Sequence, residues 1–382
     1  MNLKRTSAAL AACMSIVLLS ACGSVNGGSS ASSGTGSKDL KPSDMTMVTV
    51  VKLKGIAWFD RMEVGVKDYA KRTGIDAREE GANDVSPEKQ IQIIQDLIAQ
   101  KPTAITVVPN SPEALSNVLA QAKAKGIITI SHEATGIKNV DADIEAFDNA
   151  DYGQKIMKSL GTCMKGQGDY VQFVGGLTAK THMEWVGAAY DYQTANFPGM
   201  KRVEDPIEST DNEAAAYQKA KEVLAKHPNI KGFEGSAGND VPGIARAVEE
   251  AGLTGKVCVM GTSIPSAAAK YLANGSIQKI FFWDPALAGQ AQLEAARIIA
   301  TGGKIQEGTD LGIEGYHHLT KLKGYDNVYL GDASIKADAK GTKKHTFHPP
   351  RCGRPTPPHP MERIECLDHS TTRSAHPPLG GA

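Results

Sequence analysis

Short apolar runs alternate with amphipathic stretches along most of the chain, and that alternation constrains the fold more than any other feature. Residues 47–53 form a β-branched apolar run, followed by a helical pattern over 61–72 that Gly74 ends; 75–78 starts another strand. Ser86 is placed to cap a helix whose Ile91, Ile94, Leu97 and Ile98 recur at helical spacing. Strand 104–108, helix 112–125 stopped by Gly126, and strand 127–130 continue the series. Strands separated by helices of this length build right-handed βαβ units around a parallel sheet. A helix over 151–164 and a Gly-containing break at 165–168 interrupt the pattern. It restarts with strands near 170–174, 202–208, 232–234, 257–260 and 277–282, and helices near 183–196, 213–226, 241–251 and 265–273. Two similar α/β halves joined near residue 166 are the simplest reading.

The flanks differ in kind from this body, which spans about 45–339. Lys4 and Arg5 precede an apolar stretch at 8–19 that is too short to span a bilayer, and Leu19-Ser20-Ala21-Cys22 follows. That pattern resembles a bacterial lipoprotein signal over 1–22. It implies lipidation of Cys22 and an anchor holding the protein against the outer face of a membrane. Residues 23–44 begin with a Gly/Ser-rich run and are expected to be a tether. From 340 to 382 the composition turns rich in proline and histidine, without hydrophobic periodicity, and a disordered tail is expected. His345, His348, Cys352, His359, Cys366 and His369 match no closed zinc module, so no metal is expected. Lys plus Arg and Asp plus Glu both total 42, so nothing in the charge points to nucleic acid. Within the body only Cys163 and Cys258 remain. Two separate buried thiols are the favoured reading; a disulfide is the alternative in an oxidising compartment.

Several segments carry a family resemblance: Val51 to Phe59 after the first strand, Gln90 to Ile98, Ala104 to Asn110, Gly261-Thr262-Ser263, and Phe282-Trp283-Asp284-Pro285. Together they resemble the type I periplasmic sugar-binding proteins of ABC importers, the ribose-, rhamnose- and autoinducer-2-binding group. The resemblance implies two Rossmann-like lobes with parallel sheets, joined by a three-crossover hinge that closes over a ligand. It implies a first lobe of 45–166 plus 284–311 and a second of 167–283 plus 312–339. A non-enzymatic monomer without cofactor is expected, capturing a sugar or polyol and delivering it to a membrane permease.

Ligands of open α/β sheets sit at the carboxyl ends of strands. A sugar needs carboxylates, amides or cations for its hydroxyls and aromatic faces for its C–H surface. The strand ends supply Lys52, Trp58 and Phe59; His132 and Glu133; Thr181, His182 and Trp185; Ser236, Asn239 and Asp240; and Trp283 and Asp284. Each has a plainer reading, as a packed aromatic, a surface pair or, for Asp240, a helix cap. Among the polar candidates Asn239 and Asp284 are favoured, because the family places ligand contacts at both loops. The autoinducer-2 pattern is matched by Lys52 but not by Glu133, Thr181-His182, Ser236 or Gly238, so that ligand is the runner-up. A DNA-binding regulator lacks its helix-turn-helix here. An extracellular carbohydrate-active enzyme using His132-Glu133 as acid and base is a remote rival, since no catalytic motif accompanies the pair.

Overall fold

The computed structural model describes residues 40–340. Cys22, the signal segment, most of the tether and the tail histidines and cysteines lie outside them. A 3-10 turn at Pro42–Asp44 leads into β1 (Thr46–Val51). There follow α1 (Ala57–Thr73), β2 (Asp76–Gly81), α2 (Pro87–Gln100), β3 (Ala104–Val107), α3 (Pro112–Ala124), β4 (Ile128–Ser131) and β5 (Ala142–Glu145). The next run is α4 (Asn149–Cys163), β6 (Gln167–Val174), α5 (Lys180–Asn196), β7 (Gly199–Arg202), β8 (Ile207–Glu208), α6 (Glu213–Lys226) and β9 (Gly232–Gly235). The chain ends with α7 (Asp240–Glu250), β10 (Cys258–Thr262), α8 (Pro265–Asn274), β11 (Lys279–Phe282), α9 (Pro285–Ala300), β12 (Thr320–Lys321), β13 (Val328–Leu330) and β14 (Ile335–Ala337).

Local chemistry sets the helix starts. The side chains of Ser86, Ser111, Asp148, Asn212 and Asp284 each accept a backbone N–H from the first turn of the following helix. Proline occupies the first turn of α2, α3, α8 and α9, where its missing N–H costs nothing.

Two mostly parallel sheets result. The first has the order β12-β13-β5-β4-β3-β1-β2; the second runs β14-β11-β10-β9-β6-β7, with β8 also on β6. Only β12 and β14 run antiparallel to their neighbours. The central strands β1, β3 and β9 to β11 are buried along almost their whole length, as strands covered by helices on both faces must be.

The chain passes between the sheets three times: after β5, after β11 and between β13 and β14. The first passage lies at 146–148 and not near 166. Helix α4 packs on α5, β9 and β10, so it belongs to the second lobe. Gly153 makes this closeness feasible, since a Cβ there would lie 2.2 Å from the Trp185 carbonyl oxygen. Residues 320–330 likewise do not join the second lobe. β13 pairs in parallel with β5, Val328 opposite Asp143, and only β14 continues to the second sheet. Helix α9 packs against α1, where a Cβ on Gly65 would meet the Ala286 carbonyl oxygen at 2.1 Å.

Cys163 and Cys258 form a disulfide joining the end of α4 to the start of β10, with Cα atoms 6.1 Å apart. The expectation of two separate thiols is therefore corrected. Two cysteines 95 residues apart meet only because α4 lies back across the second sheet.

Candidate functional site

Residues at the carboxyl ends of strands in both sheets line one cleft, bordered by Phe147 of the first passage and Trp283 of the second. The lobes touch there: Thr178 Oγ1 donates to the Asn110 carbonyl at 3.2 Å, and Asn149 Nδ2 donates to Thr135 Oγ1 at 3.0 Å. Between them lies a cavity of about 20 Å³ walled by residues of both sheets. That is room for about one water molecule. A ring-sized ligand therefore enters only when the lobes part.

The first lobe contributes a buried ion pair. Lys52, directly after β1, pairs with Glu133, directly after β4, and both are at most 4% exposed. Burial pushes the Glu133 carboxyl upward, but the charge and hydrogen bond of Lys52 outweigh it and hold the group below the usual carboxylate range. Glu133 sits in the left-handed region at φ 56°, a strained conformation for a non-glycine residue at a wall of the cleft. Asn110 supports this corner, its Nδ2 donating to the Lys52 carbonyl at 3.1 Å while its own N–H donates to Gln90 Oε1.

The second lobe places Asp211 across from that pair. It follows β8 at φ 52°, and burial pushes its carboxyl up to about 6 against the pull of Lys52. Ser236 and Gly238 follow β9, and Thr262 ends β10 with its hydroxyl 3.1 Å from Tyr152 Oη. His182 and Trp185 stand on the first two turns of α5.

Aromatic rings close the remaining sides. The three tryptophans of the chain all line this cavity. Trp283 meets Trp58 edge-on with centroids 4.6 Å apart, and Trp185 at 5.7 Å. Phe147, on the first passage between lobes, packs against Trp283 at 5.2 Å and stacks on Tyr152 at 4.2 Å. Position 238 must stay small, because a Cβ there would come within 3.0 Å of the Trp58 ring.

Of the sequence-predicted residues, Lys52, Trp58, Phe59, Glu133, His182, Trp185, Ser236 and Trp283 line the cavity. His132 and Thr181 are buried beside it, and His132 Nε2, Thr181 Oγ1 and Trp283 Nε1 have no hydrogen-bond partner. The remaining three do not line the cavity. Asn239 Nδ2 donates to the Asp211 carbonyl, and Asp240 Oδ2 accepts the N–H groups of Ser236 and Ala237. Asp284 accepts both nitrogens of the Arg61 fork and caps α9. Asp211, Ile56, Gly238 and Thr262 line the cavity without having been chosen. Thr262 stands in a quoted family segment, whereas Asp211 follows a two-residue strand in an irregular stretch that carries no sequence signal.

The arrangement presents carboxylates, an ammonium and ring N–H groups inside an aromatic enclosure. That is equipment for binding a small polar molecule with apolar faces. Among the described residues no cluster of three or more His, Cys, Asp or Glu converges as a metal site.

A model of the periplasmic binding protein domain matches residues 47–304. The D-xylose-binding periplasmic protein of Haemophilus influenzae is 26% identical over 280 residues, covering 68% of this chain and 79% of that protein. The D-allose-binding periplasmic protein of Escherichia coli is 26% identical over 268 residues, covering 68% and 85%. In three dimensions the chain is similar to LsrB from Clostridium saccharobutylicum in complex with AI-2, at TM-score 0.73 and 19% identity, covering 79% of this chain and 100% of that one. It is also similar to an ABC transporter solute-binding protein from Clostridium phytofermentas with bound L-rhamnose, at TM-score 0.72 and 21% identity, covering 79% and 98%.

Proposed function

The chain belongs to the periplasmic binding protein family, and from that premise we propose that it captures a neutral sugar or polyol in the cleft by hinge closure. The observation that carries this reading is the convergence of Lys52, Glu133 and Trp58 from the first lobe with Asp211, His182 and Trp185 from the second on one cavity. A ligand touching both sets stabilises the closed form, because only that form makes all the contacts. The closed protein then delivers its ligand to an ABC permease, held at the membrane by lipid on Cys22. Periplasmic binding proteins act outside the cytoplasm, which accords with the signal-like N-terminus and with the Cys163–Cys258 disulfide.

Thermal stability of the purified protein against D-xylose, D-allose, D-ribose, L-rhamnose, D-arabinose, xylitol and AI-2 tests the reading. A ligand at a hundred times its Kd adds about 2.7 kcal/mol, a clear melting shift. A selective shift with one sugar or polyol is expected. A shift with AI-2 alone moves the assignment to a signal receptor, and no shift from a well-folded sample removes the sugar reading.

A further inference from the structure

Two buried histidines at this cleft have their proton positions dictated by backbone groups, and the two are opposite in polarity. His132 Nδ1 lies 2.6 Å from the Ile144 carbonyl oxygen. A carbonyl only accepts, so Nδ1 carries the proton. The Gly175 N–H donates to His182 Nδ1 at 3.1 Å, so that nitrogen is bare. Burial disfavours the charged form of both, His182 falling to about 3 with Lys52 pushing the same way. Each ring is therefore neutral with one fixed tautomer. His132 offers a lone pair at Nε2, and His182 offers an N–H there.

Trp283 adds a second donor. Its Nε1 and His132 Nε2 are both buried without a hydrogen-bond partner, on rings with centroids 5.8 Å apart, and Glu133 Oε1 lies 3.9 Å from His132 Nε2. An unpaired buried donor beside an unpaired buried acceptor is costly until one group satisfies both. A hydroxyl does so, because it donates and accepts at once; a carbonyl or carboxylate only accepts. The carboxylates of Glu133 and Asp211 line the same cavity and add acceptors to which a ligand hydroxyl can donate.

We propose that His132, His182 and Trp283 are the specificity-determining set of this site, two fixed donors and one fixed acceptor that select a hydroxyl-bearing sugar or polyol against the acid of the same carbon skeleton. The inference rests on the sugar reading above and sharpens it. A ligand hydroxyl donates to the first lobe through His132 and accepts from Trp283, while His182 of the second lobe donates to another ligand oxygen. Closure then matches the direction of each hydrogen bond as well as the shape.

The test has two arms on the full-length protein. Nitrogen-15 imidazole NMR without ligand reads the tautomers directly. The expected pattern is a protonated Nδ1 with bare Nε2 for His132 and the reverse for His182, with His182 not titrating between pH 5 and 8. Calorimetry then compares D-xylose, xylitol and D-xylonate, and D-allose with D-allonate. Neutral compounds are expected to bind at least a hundredfold more tightly than their acids. His132→Phe should shrink that ratio to below tenfold, and His132→Gln, which keeps an acceptor, should restore part of it. Should the phenylalanine variant not fold, the glutamine variant and the NMR arm decide. Exchanged tautomers with sugar binding intact overturn this inference alone, as does an unchanged ratio in the variants. Correct tautomers with none of the neutral compounds bound overturn the sugar reading it rests on.

Discussion

Glu234, in the middle of the second sheet, is fully buried, accepts one hydrogen bond from Gln172 Nε2 at 2.9 Å, and leaves its other oxygen unpartnered. Burial pushes its carboxyl up to about 8 from an ordinary 4.5. The folded protein thus keeps a proton that the unfolded chain releases. Its favourable contribution is whole below about pH 4.5 and is lost as pH rises toward 8. Glu234→Gln keeps the shape and removes the titration. We expect that variant to be more stable at pH 8 by about 4 kcal/mol and near neutral at pH 4.5, read from urea unfolding at both values. A gain of equal size at both would show that packing, not ionisation, is responsible. The strand-end rule pointed to Lys52, Trp58, Glu133, His182 and Trp283, all of which line the cavity. It also drew in Asn239, Asp240 and Asp284, which the same loops carry. A sequence does not reveal whether a polar residue at a loop turns to the cleft or back to cap a helix, because both choices satisfy the same hydrogen-bonding need. Asp284 took the second course, held by Arg61 and the Ala286 N–H.

Helices were easier to read than strands. The amphipathic period placed α6 over Glu213–Lys226, as observed. β5 was missed because its sequence, Ala-Asp-Ile-Glu, alternates acid with apolar and looks half-exposed, yet all four residues are buried. Its acids are accommodated by the Ser131 hydroxyl on Asp143 and by the Ala134 N–H on Glu145. Overlooking that strand moved the expected joint from 146–148 to 166. The disulfide acts on the element that follows. It fixes the C-terminal end of α4 to β10, while near the helix start the Tyr152 hydroxyl meets Thr262 beside the cavity. Replacing Cys163 and Cys258 together by alanine releases a loop of 95 residues in the unfolded chain. We expect a loss of about 4 kcal/mol relative to the oxidised protein, measured by denaturant unfolding with and without reductant. Reductant should leave the double variant unchanged. Equal stability of variant and oxidised wild type would mean the bond does not form in solution.

Across the whole molecule, the closed lobes leave only about 20 Å³ at the site, so capture of a ring requires a more open form that interconverts with the closed one. Binding should compact the protein, lowering the radius of gyration in solution scattering. It should also change the intrinsic fluorescence, because Trp58, Trp185 and Trp283 all line the closing cleft. A chain ending at Lys340 is expected to give both responses with the same sugar, since the matched family domain ends well before that residue. Compaction absent from both chains despite tight binding would rule out hinge closure.

Periodicity, caps and glycine stops determined the class of this protein without help from tertiary contacts: helices and strands in alternation, two halves, and functional groups at strand ends. Those signals are local, and a chain carries them wherever its neighbours end up. Tertiary structure alone decided which lobe claims α4 and residues 320–330, that Cys163 meets Cys258, and that Asp211 lines the cavity while Asp284 does not. Each depends on where three passages of chain bring distant segments together, and the free energy of those contacts belongs to pairs of surfaces that no single segment records.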